Sequence, residues 1–356
     1  MNGATADIYQ TSDPARVPAI AQEHGFCLIK DFFTSTQMAD FERAQLAIPP
    51  ADRACDFLTL GVFNDLLFDP RILAIARALL GEQLVYYGET NCMVENTAPF
   101  RQWHFDARGM PGNLAAAFEP AIGETFAGWR FALYFRDYAE ASGGLKVGPG
   151  SHLRPTSDFH NVKAVTQVVK AQGVDLTVPM APFPLYNVPS MRGDLVIFNL
   201  RTYHSAGYIR ISGAPETVLL PAIENSLLGQ APNLAVPEPT ESRNALIFDL
   251  AGPKAAFDLY PKWRVGEFLR KEQPKEWSDK VRDAALGPSA YDQPDIAAVA
   301  ESHGVTLRYD RIIGQLIWKK KRAADRFTAE DQQRLDHLLA INPEYSPHYP
   351  LRNFAA

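Results

Sequence analysis

The chain has 356 residues, of which 46% are hydrophobic and 21% are charged, a composition ordinary for a globular protein with a sizeable core. Its 35 Lys and Arg residues against 41 Asp and Glu residues leave a formal net charge of −6, which disfavours general nucleic-acid or anionic-membrane binders because both need a basic face. No apolar run reaches the roughly 20 residues that span a bilayer, and the N-terminus lacks the pattern of a signal peptide. Cys27, Cys55 and Cys92 form neither a disulfide framework nor a CxxC motif, which predicts a reducing cytoplasm.

The first part of the chain, to about residue 80, is predicted to form helices around one short strand. Asp13-Pro14 and Asp69-Pro70 each have the pattern of a helix cap followed by proline in the first turn. The second begins the run RILAIARALL, whose apolar residues recur at helical spacing, and Gly81 is expected to end it. Between the two, GFCLIKDFF has the pattern of a strand that leads into a turn.

Strand patterns follow from about residue 83 to residue 250. The segments QLVYYGETNCMVEN, AGWRFALYFRD, GDLVIFNL and NALIFDLAG are rich in β-branched and aromatic residues, and Gly/Pro clusters separate them. This texture predicts an antiparallel sandwich or barrel rather than a doubly wound sheet. After about residue 264 helical patterns return, and the basic run Lys319–Arg322 among them is interpreted as a solvated helix face.

Two histidine segments are candidates for chemistry. His104 and Asp106 in QWHFDARG are separated by one residue, and in extended backbone such residues point to the same side, where both can reach one metal ion. His204 lies in the polar segment that ends the apolar strand GDLVIFNL. Together the three would form a two-histidine, one-carboxylate triad that leaves open positions on iron(II). The alternative is a capped strand end and a hydrogen-bonded core histidine.

The order of three motifs carries a resemblance to a known family. WHFD, then ASGGLKVGPGSH, then GDLVIFNLRTYH resembles the phytanoyl-CoA dioxygenase family, and EHGFCLIKDFFTSTQMADF is similar to its opening strand and helix. The resemblance covers about residues 20–250 and implies an iron(II)- and 2-oxoglutarate-dependent oxygenase that consumes O2. It implies that His104, Asp106 and His204 ligate the iron, with no catalytic residue beyond them, and that His152 of the PGSH turn is structural.

The resemblance also implies an arginine for the far carboxylate of 2-oxoglutarate, because a guanidinium pairs with a carboxylate through two parallel hydrogen bonds. Here the sequence departs from the family pattern, since Pro215 stands near the expected position. Arg210 follows His204 closely, whereas Arg243 stands immediately before an apolar strand, as the family's arginine does. We favour Arg243, which implies an insert at about 211–241 beside the active site, in a place typical of substrate-shaping loops.

Further contacts are weaker expectations. Asn91 is a candidate contact to the co-substrate, with an ordinary buried strand hydrogen bond as the alternative. The residues expected near the substrate are Arg108, Met110, Tyr203 and Tyr208. For Arg108, a surface salt bridge is the alternative.

The expected fold is mainly β with surrounding helices, built on a double-stranded β-helix (jelly-roll or cupin-like) core. Residues 1–262 are predicted to form the oxygenase domain, and 263–356 a helical extension packed on the core, with a homo-oligomer contact as one role. The expected reaction is hydroxylation, desaturation or cyclisation of a small metabolite, because related halogenases lack the carboxylate that Asp106 provides. The alternatives are a cupin-like metal enzyme that does not use 2-oxoglutarate and a non-catalytic binding protein on the same fold.

Overall fold

The computed structural model describes residues 6–49, 61–96, 104, 106, 128–137, 145–154, 164–169, 174–179, 185–206, 210–211, 235–236, 243–253, 294–309, 312–313, 316–317, 319–320 and 324–341. For some of them, including 89–91, 93–96, 210–211 and 243, the description is of the backbone alone. The helices are α1 (Val17–His24), α2 (Ser35–Ala47), α3 (Asn64–Leu67), α4 (Pro70–Leu80), α5 (Pro294–Ser302) and α6 (Ala329–Ile341). The strands are β1 (Gln10–Thr11), β2 (Phe26–Ile29), β3 (Leu84–Asn96), β4 (Gly128–Tyr134), β5 (Leu145–Val147), β6 (Ala164–Val169), β7 (Val174–Pro179), β8 (Tyr186–Asn187), β9 (Leu195–Asn199), β10 (His204–Ala206), β11 (Arg210–Ile211), β12 (Ala235–Val236), β13 (Arg243–Ala251) and β14 (Val305–Leu307).

Two sheets form the core of the fold. The larger has seven strands in the order β1-β2-β9-β4-β13-β3-β14, and the smaller has three in the order β10-β5-β8. Inside the larger sheet β9, β4, β13 and β3 pair antiparallel, although they come from distant parts of the chain. This arrangement confirms the mainly-β, jelly-roll class expected from the sequence. The β6–β7 hairpin, which the sequence analysis did not foresee, lies between β5 and β8 in the chain.

The larger sheet is apolar on both faces. One face packs against α1, α2 and α4 through residues such as Val17, Met38 and Ile72. The other packs against the smaller sheet, with Phe198 and Val196 of the large sheet in the same cluster as Val147. Burial on both faces explains why β9 begins with four apolar residues in succession, Leu195–Phe198, rather than with an alternating pattern.

The N-terminal elements begin and end as the sequence predicts. The Asp13 side chain caps the short 3-10 helix that leads into α1, and the Asp69 carboxylate accepts the backbone N–H of Arg71 at the start of α4. α4 ends at Gly81, whose N–H donates to the carbonyl of Arg77. The helix starts, the stop and the strand β2 are thereby confirmed.

The C-terminal part contributes to the sheet as well as to the helical layer. β14 pairs parallel with β3 at the sheet edge, and Ile296, Ala300 and Val305 belong to the main apolar core. The interpretation of the basic run as a solvated face is wrong for Lys319, which is buried and forms a 2.7 Å ion pair with the Asp331 carboxylate. The partner Asp331 lies twelve residues further on, in α6, and an argument from the face of one helix cannot detect a partner on another.

Among the described helices, none has the length and apolar character that crossing a membrane requires. Cys27 and Cys92 are both buried, and burial raises the pKa of Cys27 to about 12.

Gly25 ends α1 and forms hydrogen bonds with the loop that precedes His204. Its backbone has φ 79°, its carbonyl accepts hydrogen bonds from the Thr202 hydroxyl (2.7 Å) and the Asn199 N–H (2.9 Å), and its Cα side faces His152. A Cβ at this position would lie 2.5 Å from His152 Nδ1 and 2.7 Å from Thr202 Oγ1. Both the backbone conformation and the packing therefore require glycine here.

We expect Gly25→Ala to lower the free energy of unfolding by about 2–4 kcal/mol, because the left-handed conformation and the overpacking each contribute. Urea unfolding followed by circular dichroism measures the loss. Gly61→Ala is the matched control, because Gly61 has φ 64° and nothing within 4 Å of its added Cβ. Equal losses in the two variants would contradict the packing argument.

Candidate metal centre

The segment with His104 and Asp106 lies alongside the loop that leads into β10. His104 and His204 exchange two backbone hydrogen bonds as an antiparallel bridge, at 2.9 and 2.8 Å. The Asp106 N–H donates to the carbonyl of Leu200 at 3.1 Å. These main-chain contacts bring together residues that are a hundred positions apart in the sequence.

The side chains of the three residues converge on one point. One ligand atom from each of His104, Asp106 and His204 lies within 4.8 Å of the other two. The two imidazole rings have centroids 4.3 Å apart, and His104 Nε2 is 4.0 Å from Asp106 Oδ1. His204 is buried, while the other two are half-buried. The cluster is thus a partly enclosed site, with His204 on its buried side.

His204 is held as a neutral imidazole with one particular nitrogen available. Its Nδ1 lies 2.9 Å from the carbonyl of Thr202, and since a carbonyl can only accept, Nδ1 carries the proton. Burial, and secondarily the neighbouring His104, lower the pKa of His204 to about 3. The lone pair is then on Nε2, which is the arrangement in which a histidine binds a metal while its other nitrogen is fixed by a backbone carbonyl.

These donors fit a first-row divalent metal. Two imidazole nitrogens and one carboxylate oxygen are the set that binds non-heme iron(II) with positions left open for other ligands. His204 is enclosed while His104 and Asp106 are partly exposed, which suits a centre that is fixed on one side and reachable on the other.

A charged network that the sequence analysis missed touches this cluster. Arg130 lies in β4, and its Nη1 is 3.3 Å from Asp106 Oδ1. Its other two nitrogens donate to the carboxylate of Asp249 in β13, at 2.7 and 2.8 Å. The Tyr87 hydroxyl donates to the same Asp249 carboxylate at 2.8 Å. The signal was available in the sequence, because Arg130 and Asp249 are opposite charges that each interrupt an apolar strand.

His152 is structural, as expected. Its Nε2 donates to the carbonyl of Gln22 at 2.9 Å, and among the described residues its buried Nδ1 has no hydrogen-bond partner. Burial, as the largest cause, lowers the pKa of His152 to about 4. The side chain packs the PGSH turn against Gly25 at the end of α1, and it does not belong to the described cluster of His104, Asp106 and His204.

The arginines predicted to bind 2-oxoglutarate are described only by their backbones. Arg243 is the first residue of β13 and pairs with Asn96, and Arg210 begins β11 and pairs with Val236. Arg243 lies six positions before Asp249 on β13, about 20 Å at the usual rise per residue.

The remaining predicted contacts are only partly placed. Asn91 pairs with Ile247 through its backbone, and its side chain lies outside the described part of the chain. Tyr203 is half-buried directly before His204, with its N–H donating to the hydroxyl of Ser151. Three predicted substrate contacts lie outside the described residues, namely Arg108, Met110 and Tyr208.

Comparison with known protein families finds one match to this chain. A family model described as phytanoyl-CoA dioxygenase (PhyH) matches residues 21–212, which is more than half of the chain. A search of curated proteins found no match to this chain.

Several solved structures are similar to parts of the chain. The non-heme alpha-ketoglutarate-dependent epimerase SnoN from nogalamycin biosynthesis is 21% identical over 67% of this chain and 84% of that chain, with a TM-score of 0.41. The carbocyclase SnoK from the same biosynthesis is 19% identical over 67% of this chain and 83% of that chain, with a TM-score of 0.40. The non-heme monooxygenase ThoJ, as a nickel complex, is 16% identical over 68% of this chain and 78% of that chain, with a TM-score of 0.36.

The buried, neutral His152 predicts a pH dependence of stability. Below pH 6.5 the unfolded imidazole binds a proton that the folded one, with its pKa of about 4, does not. The free energy of unfolding therefore falls as the pH is lowered from 6.5 to 4, by up to about 3 kcal/mol from this residue. We expect His152→Gln to lose less stability over this range than the native protein, as measured by urea unfolding at a series of pH values.

The control for His152→Gln is His337→Gln, since His337 is exposed on α6. This variant should follow the native profile. Parallel profiles of the native protein and His152→Gln would show that the imidazole is not held neutral by burial.

Proposed function

The chain belongs to the phytanoyl-CoA dioxygenase family and is therefore an iron(II)- and 2-oxoglutarate-dependent oxygenase, and on this premise we propose that His104, Asp106 and His204 are its iron ligands. The observation that carries the proposal is the convergence of their three ligand atoms to within 4.8 Å of one another. The donor types support it, because two imidazoles and one carboxylate are the expected set for this metal.

Each ligand has a role in readying the site. His204 is neutral and oriented by the carbonyl of Thr202, so that its Nε2 needs no proton removed before it binds a metal. Asp106 is anchored by its backbone to Leu200 and contributes the negative charge. Iron(II) bound there supplies the centre at which 2-oxoglutarate and O2 react to give succinate, CO2 and an oxidised substrate. The apolar cluster between the two sheets, which includes Phe198 against the His204 ring, keeps water from the inner side.

The proposed reaction is hydroxylation, desaturation or cyclisation at a C–H bond of a small molecule. The presence of Asp106 supports these outcomes over halogenation, which needs a small residue there. The protein's part is to hold the ligands and direct one C–H bond of the substrate toward the metal. Proposed contacts to that substrate are Arg108, Met110, Tyr203 and Tyr208.

The rest of the assignment concerns the surroundings of the site. Residues 1–262 are proposed as the oxygenase domain, with 263–356 as an extension that packs on it and offers a surface for a second copy of the chain. The pairing of β14 with β3 supports the packing of this extension on the core. The cytoplasm is the proposed location, on the pattern of cysteine use.

Anaerobic addition of iron(II) and 2-oxoglutarate to the apoprotein should produce a charge-transfer absorption band, because the two bind to one centre. We expect Asp106→Ala to abolish the band and to weaken binding of cobalt(II), measured by competition with a chromophoric chelator, by more than about 100-fold, beyond the usual effect of residues outside the ligand set. Asp65→Ala, at an exposed position of α3, is the control. Native protein that binds cobalt(II) but shows no band with 2-oxoglutarate would refute the co-substrate, and failure to bind any divalent metal would refute the site.

For the far carboxylate of 2-oxoglutarate we propose Arg243, with Arg210 as the second candidate. Arg243→Gln should raise the KM for 2-oxoglutarate by about 100-fold or more, because loss of an ion-paired, two-point contact costs several kcal/mol. Succinate formation at varied 2-oxoglutarate measures the KM, and it needs no knowledge of the principal substrate. An unchanged KM in Arg243→Gln together with a raised KM in Arg210→Gln would transfer the role to Arg210.

A further inference from the structure

Two opposite charges lie on neighbouring strands inside the sandwich. Arg130 and Asp249 are direct cross-strand partners of β4 and β13, and the Asp249 side chain is fully buried while that of Arg130 is 17% exposed. An uncompensated charge at such a depth is costly, so each requires the other. The pair also contacts Asp106, one of the proposed metal ligands, so it can affect the metal centre as well as the stability of the fold.

The guanidinium divides its contacts unequally between two carboxylates. Its Nε and Nη2 donate to the two oxygens of Asp249 at 2.7 and 2.8 Å, which makes a bidentate ion pair. Only Nη1 reaches Asp106, and at 3.3 Å this is the longest of the three contacts. The cation is therefore held mainly by Asp249 and touches the metal-ligand candidate with one N–H.

Two aromatic side chains restrict the pair further. The Tyr87 hydroxyl from β3 donates to Asp249 Oδ2 at 2.8 Å, which fixes the carboxylate from the opposite side. The ring of Phe198, the cross-strand neighbour of Arg130 on β9, has its centroid 5.9 Å from the guanidinium carbon and packs against His204. The position of the guanidinium is thus determined by three strands.

We propose that Asp249 is a positioning residue for the metal centre: it holds Arg130 so that one N–H orients the Asp106 carboxylate without forming the full ion pair that would compete with a metal ion. This inference rests on the proposed function, since it takes Asp106 as an iron ligand. A metal ligand needs an orienting contact and must keep its negative charge, and a cation already paired with a second carboxylate provides the first for Asp106 without fully neutralising it.

The charges of these three side chains indicate what the loss of Asp249 would do. Arg130 with its two carboxylates carries a net charge of −1, which suits a divalent cation nearby. With Asp249 neutral, the guanidinium of Arg130 loses its two-point ion pair, and Asp106 is the other carboxylate it contacts within the described part of the chain. The guanidinium then turns its fork to Asp106, and a metal ion must displace it to bind.

The test is the metal affinity of the apoprotein, with cobalt(II) as the probe and a chromophoric chelator as competitor. We expect Asp249→Asn to weaken cobalt(II) binding by about 10–100-fold, the usual range for residues that orient a metal ligand. The matched control is Asp331→Asn, which also neutralises a buried, ion-paired carboxylate, but in the C-terminal part next to Lys319. Asp331→Asn should bind cobalt(II) as the native protein does.

A double variant separates positioning from general damage. If released Arg130 competes with the metal, Asp249→Asn combined with Arg130→Gln should recover at least about ten-fold of the lost cobalt(II) affinity, a coupling that a double-mutant cycle measures. A merely structural role predicts the opposite, since a second change in a damaged core does not restore a metal site. No recovery in a folded double variant would overturn the proposal.

The outcomes keep the two proposals apart. Native protein that binds no divalent metal refutes the proposed function itself, whereas native cobalt(II) affinity in folded Asp249→Asn refutes only the positioning role. A raised KM for 2-oxoglutarate with unchanged cobalt(II) affinity would also overturn it and would assign Arg130 to the co-substrate. If Asp249→Asn does not fold, Asp249→Glu serves instead, because it retains the buried charge but displaces the Arg130 guanidinium. Asp249→Glu should also lower the cobalt(II) affinity. An unchanged affinity in this variant counts against the proposal.

Discussion

The pair of backbone hydrogen bonds between His104 and His204 is the contact on which the candidate centre depends. It joins His104 to His204, the first residue of the edge strand β10 in the smaller sheet. His104 and Asp106 offer two ligands and β10 offers the third, so the centre needs both parts of the chain. The loop of residues 200–203 is in turn held by Gly25, whose carbonyl accepts from Thr202, so that the first helix also contributes to the position of His204.

The second constraint is the balance of charge inside an apolar sandwich. Arg130 and Asp249 occupy strand positions where every neighbour along the strand is apolar, and they are tolerated because they are paired across the strands. Their proximity to Asp106 makes the same pair part of the electrostatic environment of the centre. A buried ion pair of this kind contributes little net stability compared with apolar packing, which favours a functional reason for its presence.

Much of the fold could be predicted because its signals are local. Proline after an aspartate marked the starts of the 3-10 helix before α1 and of α4, and Gly81 marked the end of α4. The apolar runs marked β3, β4, β9 and β13. The parts that were missed depend on partners distant in sequence. The burial of Lys319 requires Asp331 on a different helix, the pairing of β14 requires the edge of β3, and the Arg130–Asp249 pair requires knowledge of which strands are neighbours.

The sequence by itself determined the candidate metal donors and the mainly-β class, because the spacing of His104 and Asp106, the strand before His204 and the order of the motifs are all properties of the chain read linearly. Which side chains surround those donors was decided only by the tertiary structure. The tautomer of His204 follows from a carbonyl that the loop brings to it, and the contact from Arg130 to Asp106 follows from strand order. Strand order follows from pairings between segments that are distant in the chain, such as β4 with β13 and β4 with β9, and no local pattern of residues contains those pairings.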